Sequence, residues 1–164
     1  MTSYWILYVC GTAAVASGLV AGVFLAFSDF VMKSLRTATP AGGIESMQII
    51  NRKVYGSVFL ALLMGMAAAS LLLVALAYLR VPGPASAWIL AGGTLYLTGV
   101  FFVTMVCNVP MNKRLDVMDP NAAATASYWA EYVSSWTFWN HVRSVASAGA
   151  TICFVVGSLL LVQG

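Results

Sequence analysis

The sequence predicts an all-α integral membrane protein, a four-helix bundle running up, down, up and down, and two observations carry that expectation. The 164 residues are 61% apolar and 8% charged, with a mean hydropathy of +0.89, whereas about a quarter of the residues in soluble domains are charged. The apolar residues also fall in four runs long enough to cross a hydrocarbon core of about 30 Å. Segments carrying proline, glycine and most of the charge divide these runs. Spans at about residues 4–32, 54–80, 85–108 and 140–162 follow, and the loops left over are too short for a separate soluble domain, so 1–164 reads as one transmembrane domain. The net charge of +3 is spread over the loops and gathers into no basic tract, which excludes nucleic acid as a partner. Cys10, Cys107 and Cys153 lie far apart inside apolar runs and read as small packing residues.

The first helix runs from Tyr4 to Val31, broken in its apolarity only by small hydroxyl residues and Asp29. Ala14-Val15-Ala16 has the look of a signal-peptide cleavage site, but no basic residue precedes Lys33 and the run stays apolar well past Ala16. Gly18-x-x-x-Gly22 invites close approach of another helix. Thr37–Gly43, with Pro40 and the Gly42-Gly43 pair, breaks the first helix, and a second is expected from about Ile44, wet at its start and apolar from Gly56 to Leu79. Gln48, Asn51 and Tyr55 fall on one stripe of it. Arg80-Val-Pro-Gly-Pro84 is a tight turn, so the second and third helices are antiparallel neighbours. The third helix is expected over Ala85–Asn108, with Pro110 ending or kinking it near Val109 and Thr104, Asn108 and Asn112 following at intervals of four. Asp119-Pro120 fits an N-cap followed by proline at the first helical position. From Pro120 the fourth helix can run unbroken to Val162, about 65 Å by helical rise, so a third to a half of it stands outside the membrane.

The start of that fourth span holds the most chemistry. Trp136, Asn140 and Arg143 share a helical face with Trp139 beside them, while Thr137, His141 and Ser144 line the neighbouring stripe. Tryptophan and arginine at a membrane boundary are also the usual interfacial anchors. Lys33, Arg36, Arg52, Lys53, Lys113 and Arg114 flank the first and third loops, whereas the second loop offers only Arg80. The excess of basic residues puts the long loops and the helix extensions in the cytoplasm and both termini outside. Asp29, the Gln48 stripe, the Thr104 series and the Trp136–Arg143 stretch all come to this cytoplasmic end, which argues for a site between the helices. No acid or base lies near the middle of a span, so a charge-coupled transporter is not indicated.

Gly18 to Gly22 with Phe24, Phe27 and Ser28, Met47-Gln48-x-x-Asn51, Asn108-Val-Pro-x-Asn112, and Trp136 with Trp139-Asn140-His141-x-Arg143 together resemble the anthrone oxygenase-like family of small four-helix membrane proteins. The resemblance covers nearly the whole chain. It implies oxidation of a planar tricyclic anthrone to an anthraquinone by dioxygen without a cofactor, in a bacterial inner (plasma) membrane. Such chemistry needs a base, donors for the oxyanion and a flat apolar pocket. His141, the single histidine, would be the base; Arg143 and Asn140 complete the expected catalytic group, and Gln48, Asn51, Tyr55, Asn108, Asn112, Trp136 and Trp139 would bind substrate. One histidine per chain cannot give two histidine ligands to a haem, and no closed metal site is visible. The expected partners are a hydrophobic planar molecule, dioxygen and membrane lipid; a homo-oligomer is compatible with all of this. The alternative is a non-catalytic subunit or carrier for a quinone-like or lipid-like molecule.

Overall fold

A computed structural model describes residues 4–163. It is helical throughout and contains four helices long and apolar enough to cross a membrane: α1 (Tyr4–Thr37), α3 (Val58–Arg80), α4 (Pro84–Asp116) and α5 (Ala123–Gln163). A shorter α2 (Pro40–Lys53) lies between the first two. Residues 1–3 and 164, included in the single-domain reading, lie outside the described residues.

The four long helices close into a ring in which α5 packs along α1 and α4, and α3 packs along the other sides of the same two. Pairings run in opposite directions along α1 and α5: the Cys10 thiol donates to the Phe154 carbonyl, Ser17 to that of Ser147, and Asn140 to that of Phe24. Antiparallel α3 and α4 are joined through Gly83, whose φ of 74° suits a residue without a side chain. The seam of α4 on α5 is close, and a Cβ on Gly99 would press into Ala146. Of the expected small-residue pair, Gly18 does face Thr151, with 3.7 Å of room for a Cβ, but Gly22 faces open space.

Several boundaries differ from expectation, each for a local reason. First, α1 is broken only at Thr37, where Pro40 and the glycine pair were expected to break it, but it is not regularly wound up to that point. It passes through a π-helical turn at Phe27–Val31, where Met32 N–H bonds the Phe27 carbonyl, and continues to Thr37. The second helix is two helices. Pro40 takes the first-turn position, Thr39 caps the Gly42 N–H at 3.3 Å, and α2 therefore starts earlier than Ile44 with both glycines inside it. Gly43 is there for contact, because a Cβ would collide with the Leu35 carbonyl. After a 3₁₀ turn the chain becomes extended at Ser57, whose hydroxyl caps the Leu60 N–H at 3.2 Å and starts α3. Pro110 does not end α4. Two π-helical segments, Tyr96–Phe102 and Thr104–Asn108, precede it, and the widened turn lets the proline ring pass without a break. Asp119 does not cap α5: its carboxylate bonds the Asn121 N–H in a local turn, and the helix starts at Ala123.

The expected extension beyond the membrane is present as packed structure. Trp129, Tyr132 and Trp136 of α5 stack in sequence, with ring centroids 5.5 and 6.4 Å apart. They form a second core with Met32, Ile44, Met47 and Leu115. At 41 residues, α5 is about 60 Å long, twice the thickness of a hydrocarbon core.

Candidate functional site

Where the bundle meets the second core, a narrow cleft opens between α1, α3, α4 and α5, roofed by α2. Its walls are largely apolar and aromatic, including Phe24, Phe27, Phe59 and Trp136, and its enclosed volume is about 160 Å³. A cavity of roughly 150 Å³ admits one benzene ring. A larger planar molecule must therefore reach from the buried end towards the mouth, where Tyr55, Arg52, Lys113 and Asp116 stand.

Arg143 defines the buried end. It is 5% exposed, and its guanidinium lies 4.3 Å from the Phe24 ring centroid and 5.2 Å from that of Trp136. Nη2 donates to Asn140 Oδ1 at 2.7 Å and Nη1 reaches the Thr104 hydroxyl at 3.4 Å, while Nε finds no partner. Among the described residues the ion pairs are Lys33–Asp29 and Arg52–Asp116, so no carboxylate answers Arg143. Taking an ion out of water costs several kcal/mol even after relaxation. Arg143 is held by neutral groups alone, and its charge is left unanswered on the cleft.

Asn140 sets its aim. Fully buried, it donates at 2.6 Å both to the Phe24 carbonyl and to the Ser28 hydroxyl. Ser28 belongs to the π-helical turn of α1, and Thr104 begins the second π-helical segment of α4, so one irregular turn holds Asn140 and the other touches the guanidinium. Asn51, 7% exposed, lines the same cleft and leaves its side-chain N–H groups unpaired.

The other expected site residues divide. Asn112 lines the cleft, but its oxygen already accepts from the Tyr132 hydroxyl and Trp136 Nε1, both at 2.8 Å. Asn108 donates to the Trp136 carbonyl at 3.3 Å and ties α4 to α5. Gln48 donates to the carbonyls of Leu115 and Met118 and fastens α2 to the end of α4. Tyr55 is exposed at the mouth. Trp139 stands edge-on to Phe138, outside the cleft lining.

His141 is the chief difference. Two residues from Arg143 on a helix, it points to the far side of α5. It lies exposed in a separate open groove of about 710 Å³ with Lys33, Arg36, Trp129 and Phe138. The structure therefore brings Asn140, Arg143, Trp136, Asn51 and Tyr55 to one cleft and leaves His141 out of it. Sequence reasoning passed over Phe24, Lys113 and Asp116 as lining residues, and Ser28, which lines the groove of His141, as the acceptor that holds Asn140. Phe24 and Ser28 sit at i and i+4 where α1 turns polar, a spacing that could have joined them to the site; Lys113 and Asp116 read as ordinary loop charges. Among the described residues no group of three or more His, Cys, Asp or Glu gathers as metal ligands would.

The fold and cleft define a class: a small helical membrane protein with an aromatic-walled, cation-ended pocket at one end of its bundle. The anthrone oxygenase family profile matches residues 52–153, more than half of the chain and all of α3 and α4, and the protein belongs to that family. No curated protein and no solved structure matches it.

Proposed function

We propose that the protein oxidises a planar aromatic of the anthrone class with dioxygen, binding it in the cleft as its enolate-like anion. The observation that carries this reading is Arg143, buried on the cleft without a carboxylate partner. An anthrone methylene is acidic because its carbanion is delocalised onto the ring oxygen. A fixed guanidinium against that oxygen lowers the energy of the anion, as donors in a water-poor site do for developing charge. The methylene proton passes to water at the mouth. The carbanion then reduces dioxygen and combines with it to a peroxide anion at that carbon, which takes a proton back from water at the mouth to become the hydroperoxide; loss of the remaining C–H proton with cleavage of the O–O bond expels water and leaves the ketone: one dioxygen in, one water out. Asn51 and the unpaired Nε of Arg143 supply donors, and the walls at Phe24 and Trp136 match the flat faces of the rings.

Oxygen uptake and quinone absorbance on adding an anthrone to purified protein test this. Arg143→Gln should lower the rate by about 10²–10³, the usual loss of an oxyanion donor. His141→Ala should leave the rate largely unchanged. Wild type no faster than the uncatalysed reaction, or Arg143→Gln equal to wild type, removes the reading. The cleft lining also contains no imidazole, and its one carboxylate, Asp116, is engaged by Arg52 at 2.7 Å. That observation favours a second reading, a carrier that holds a quinone-like anion unchanged; binding that depends on Arg143 without oxygen uptake would select it.

A further inference from the structure

On the far side of α5 from the cleft, the groove that holds His141 runs between α1 and α5 and reaches Ala38 and Pro40, where α1 turns into α2. Lys33, Arg36 and His141 line it, and no carboxylate does. Lys33 reaches Asp29 at 3.5 Å on its own helix, while Arg36 has no ion pair among the described residues. The walls between these groups are apolar: Trp129 and Val133 are buried, and Phe138 is 59% exposed. In the floor the Thr137 hydroxyl is shielded and finds no partner. Depth in the membrane says which anion the cations meet. About twenty helical residues cover a hydrocarbon core of about 30 Å, so counted back from Val162 the core ends near Val142, next to His141. The bond from Asn140 to Ser28 puts Ser28 at the same level. Lys33 and Arg36 then stand roughly 8 and 12 Å further out by helical rise, from where their long side chains reach back to the phosphate layer. In the other direction the stripe of α5 that carries His141 continues as Val145, Ala148 and Ile152, all exposed.

We propose that this groove holds one anionic phospholipid. Lys33 and Arg36 take the phosphodiester with the His141 N–H as a further donor, and an acyl chain follows Phe138 and the Val145–Ile152 stripe into the hydrocarbon core. The site is separate from the cleft and does not depend on its chemistry. A zwitterionic headgroup would bring its own ammonium against the two cations, so net negative charge is what the groove selects. A soluble phosphate would leave the apolar wall and stripe bare, which makes the lipid the occupant. A lysine or arginine near a membrane surface changes affinity for anionic lipid by about fivefold.

The purified full chain, stripped of lipid in detergent, is titrated with phosphatidylglycerol or with phosphatidylcholine of the same acyl chains, and retained lipid is counted by native mass spectrometry. One phosphatidylglycerol should be held per chain, about fivefold or more tighter than phosphatidylcholine. Arg36→Gln should weaken that binding by about fivefold, and Arg36→Lys should keep it. Lys53→Gln removes the same charge from an exposed position on α2 outside the groove and should leave retention unchanged. Equal retention of the two lipids by wild type overturns the proposal. An equal loss in Lys53→Gln and Arg36→Gln also overturns it, because diffuse attraction to surface charge would then be the whole effect. Displacement of the lipid by inorganic phosphate alone would show a site for free anions and overturns it as well.

Discussion

Asn140 accepts a hydrogen bond from Arg143 at 2.7 Å while donating both of its own N–H groups to α1. The direction in which the guanidinium points is therefore inherited from a helix four elements away in the chain. Asn140→Asp would give Arg143 a carboxylate and withdraw both donors. The arginine would remain, but its charge would already be answered. Affinity for a phenolate probe should fall by about tenfold to a hundredfold, the range of a charge-assisted hydrogen bond, measured by fluorescence titration. Unchanged affinity would mean that the anion is not what Arg143 awaits.

Asn112 carries a structural prediction. Its oxygen receives the Tyr132 hydroxyl and Trp136 Nε1. Asn112→Leu leaves both donors without an acceptor and should destabilise the protein by roughly 2–6 kcal/mol, at about 1–3 for each orphaned group. Asn112→Asp keeps the acceptor and should lose much less. Thermal unfolding in detergent separates the two. Amide exchange should be slow across Tyr128–Trp136 in the wild type and faster in Asn112→Leu.

At the seam of α4 and α5, Gly99→Ala forces a methyl group into Ala146 and should cost about 1–3 kcal/mol. Adding Ala146→Gly removes the obstruction, and the pair should recover most of the loss. A double-mutant cycle on thermal stability checks this; strictly additive losses would show that the two residues are not in contact.

How far the sequence could be read is instructive at three places. The four spans and the gathering of polar side chains at one end were legible, because long apolar runs and charge placement are properties of composition. The break at Ser57 was not. One serine before a valine is a cap only if the preceding turn tightens, and that depends on α2 packing against Leu35 and Trp129. The parting of His141 from Arg143 was half legible: helical geometry put them on different stripes, but only packing decides which stripe faces inward. Here the Phe24 ring and the Thr104 hydroxyl receive Arg143. The π-helical turns left no periodic signal to find.

Orientation in the membrane gives a further prediction. With its excess of basic residues, the cleft end should lie in the cytoplasm. In a background lacking the native cysteines, Glu45→Cys and Pro82→Cys, both at exposed positions, should label from opposite sides of intact cells, with Pro82→Cys reached from outside. Labelling of Glu45→Cys from outside would invert the arrangement.

The π-helical turn at Thr104–Asn108 gives α4 a residue it can lose. Each such turn takes up an additional residue while the helix on either side keeps its facing, whereas each residue of an ordinary helix is worth about 100° of rotation. Deleting one residue from the turn would let α4 relax to regular winding with Asn112 still against Tyr132 and Trp136 and Asp116 still against Arg52. Deleting Met111 from the regularly wound stretch would instead swing everything beyond it by about that angle and part Asn112 from both rings. A single deletion should be tolerated within Thr104–Asn108 and not just beyond it.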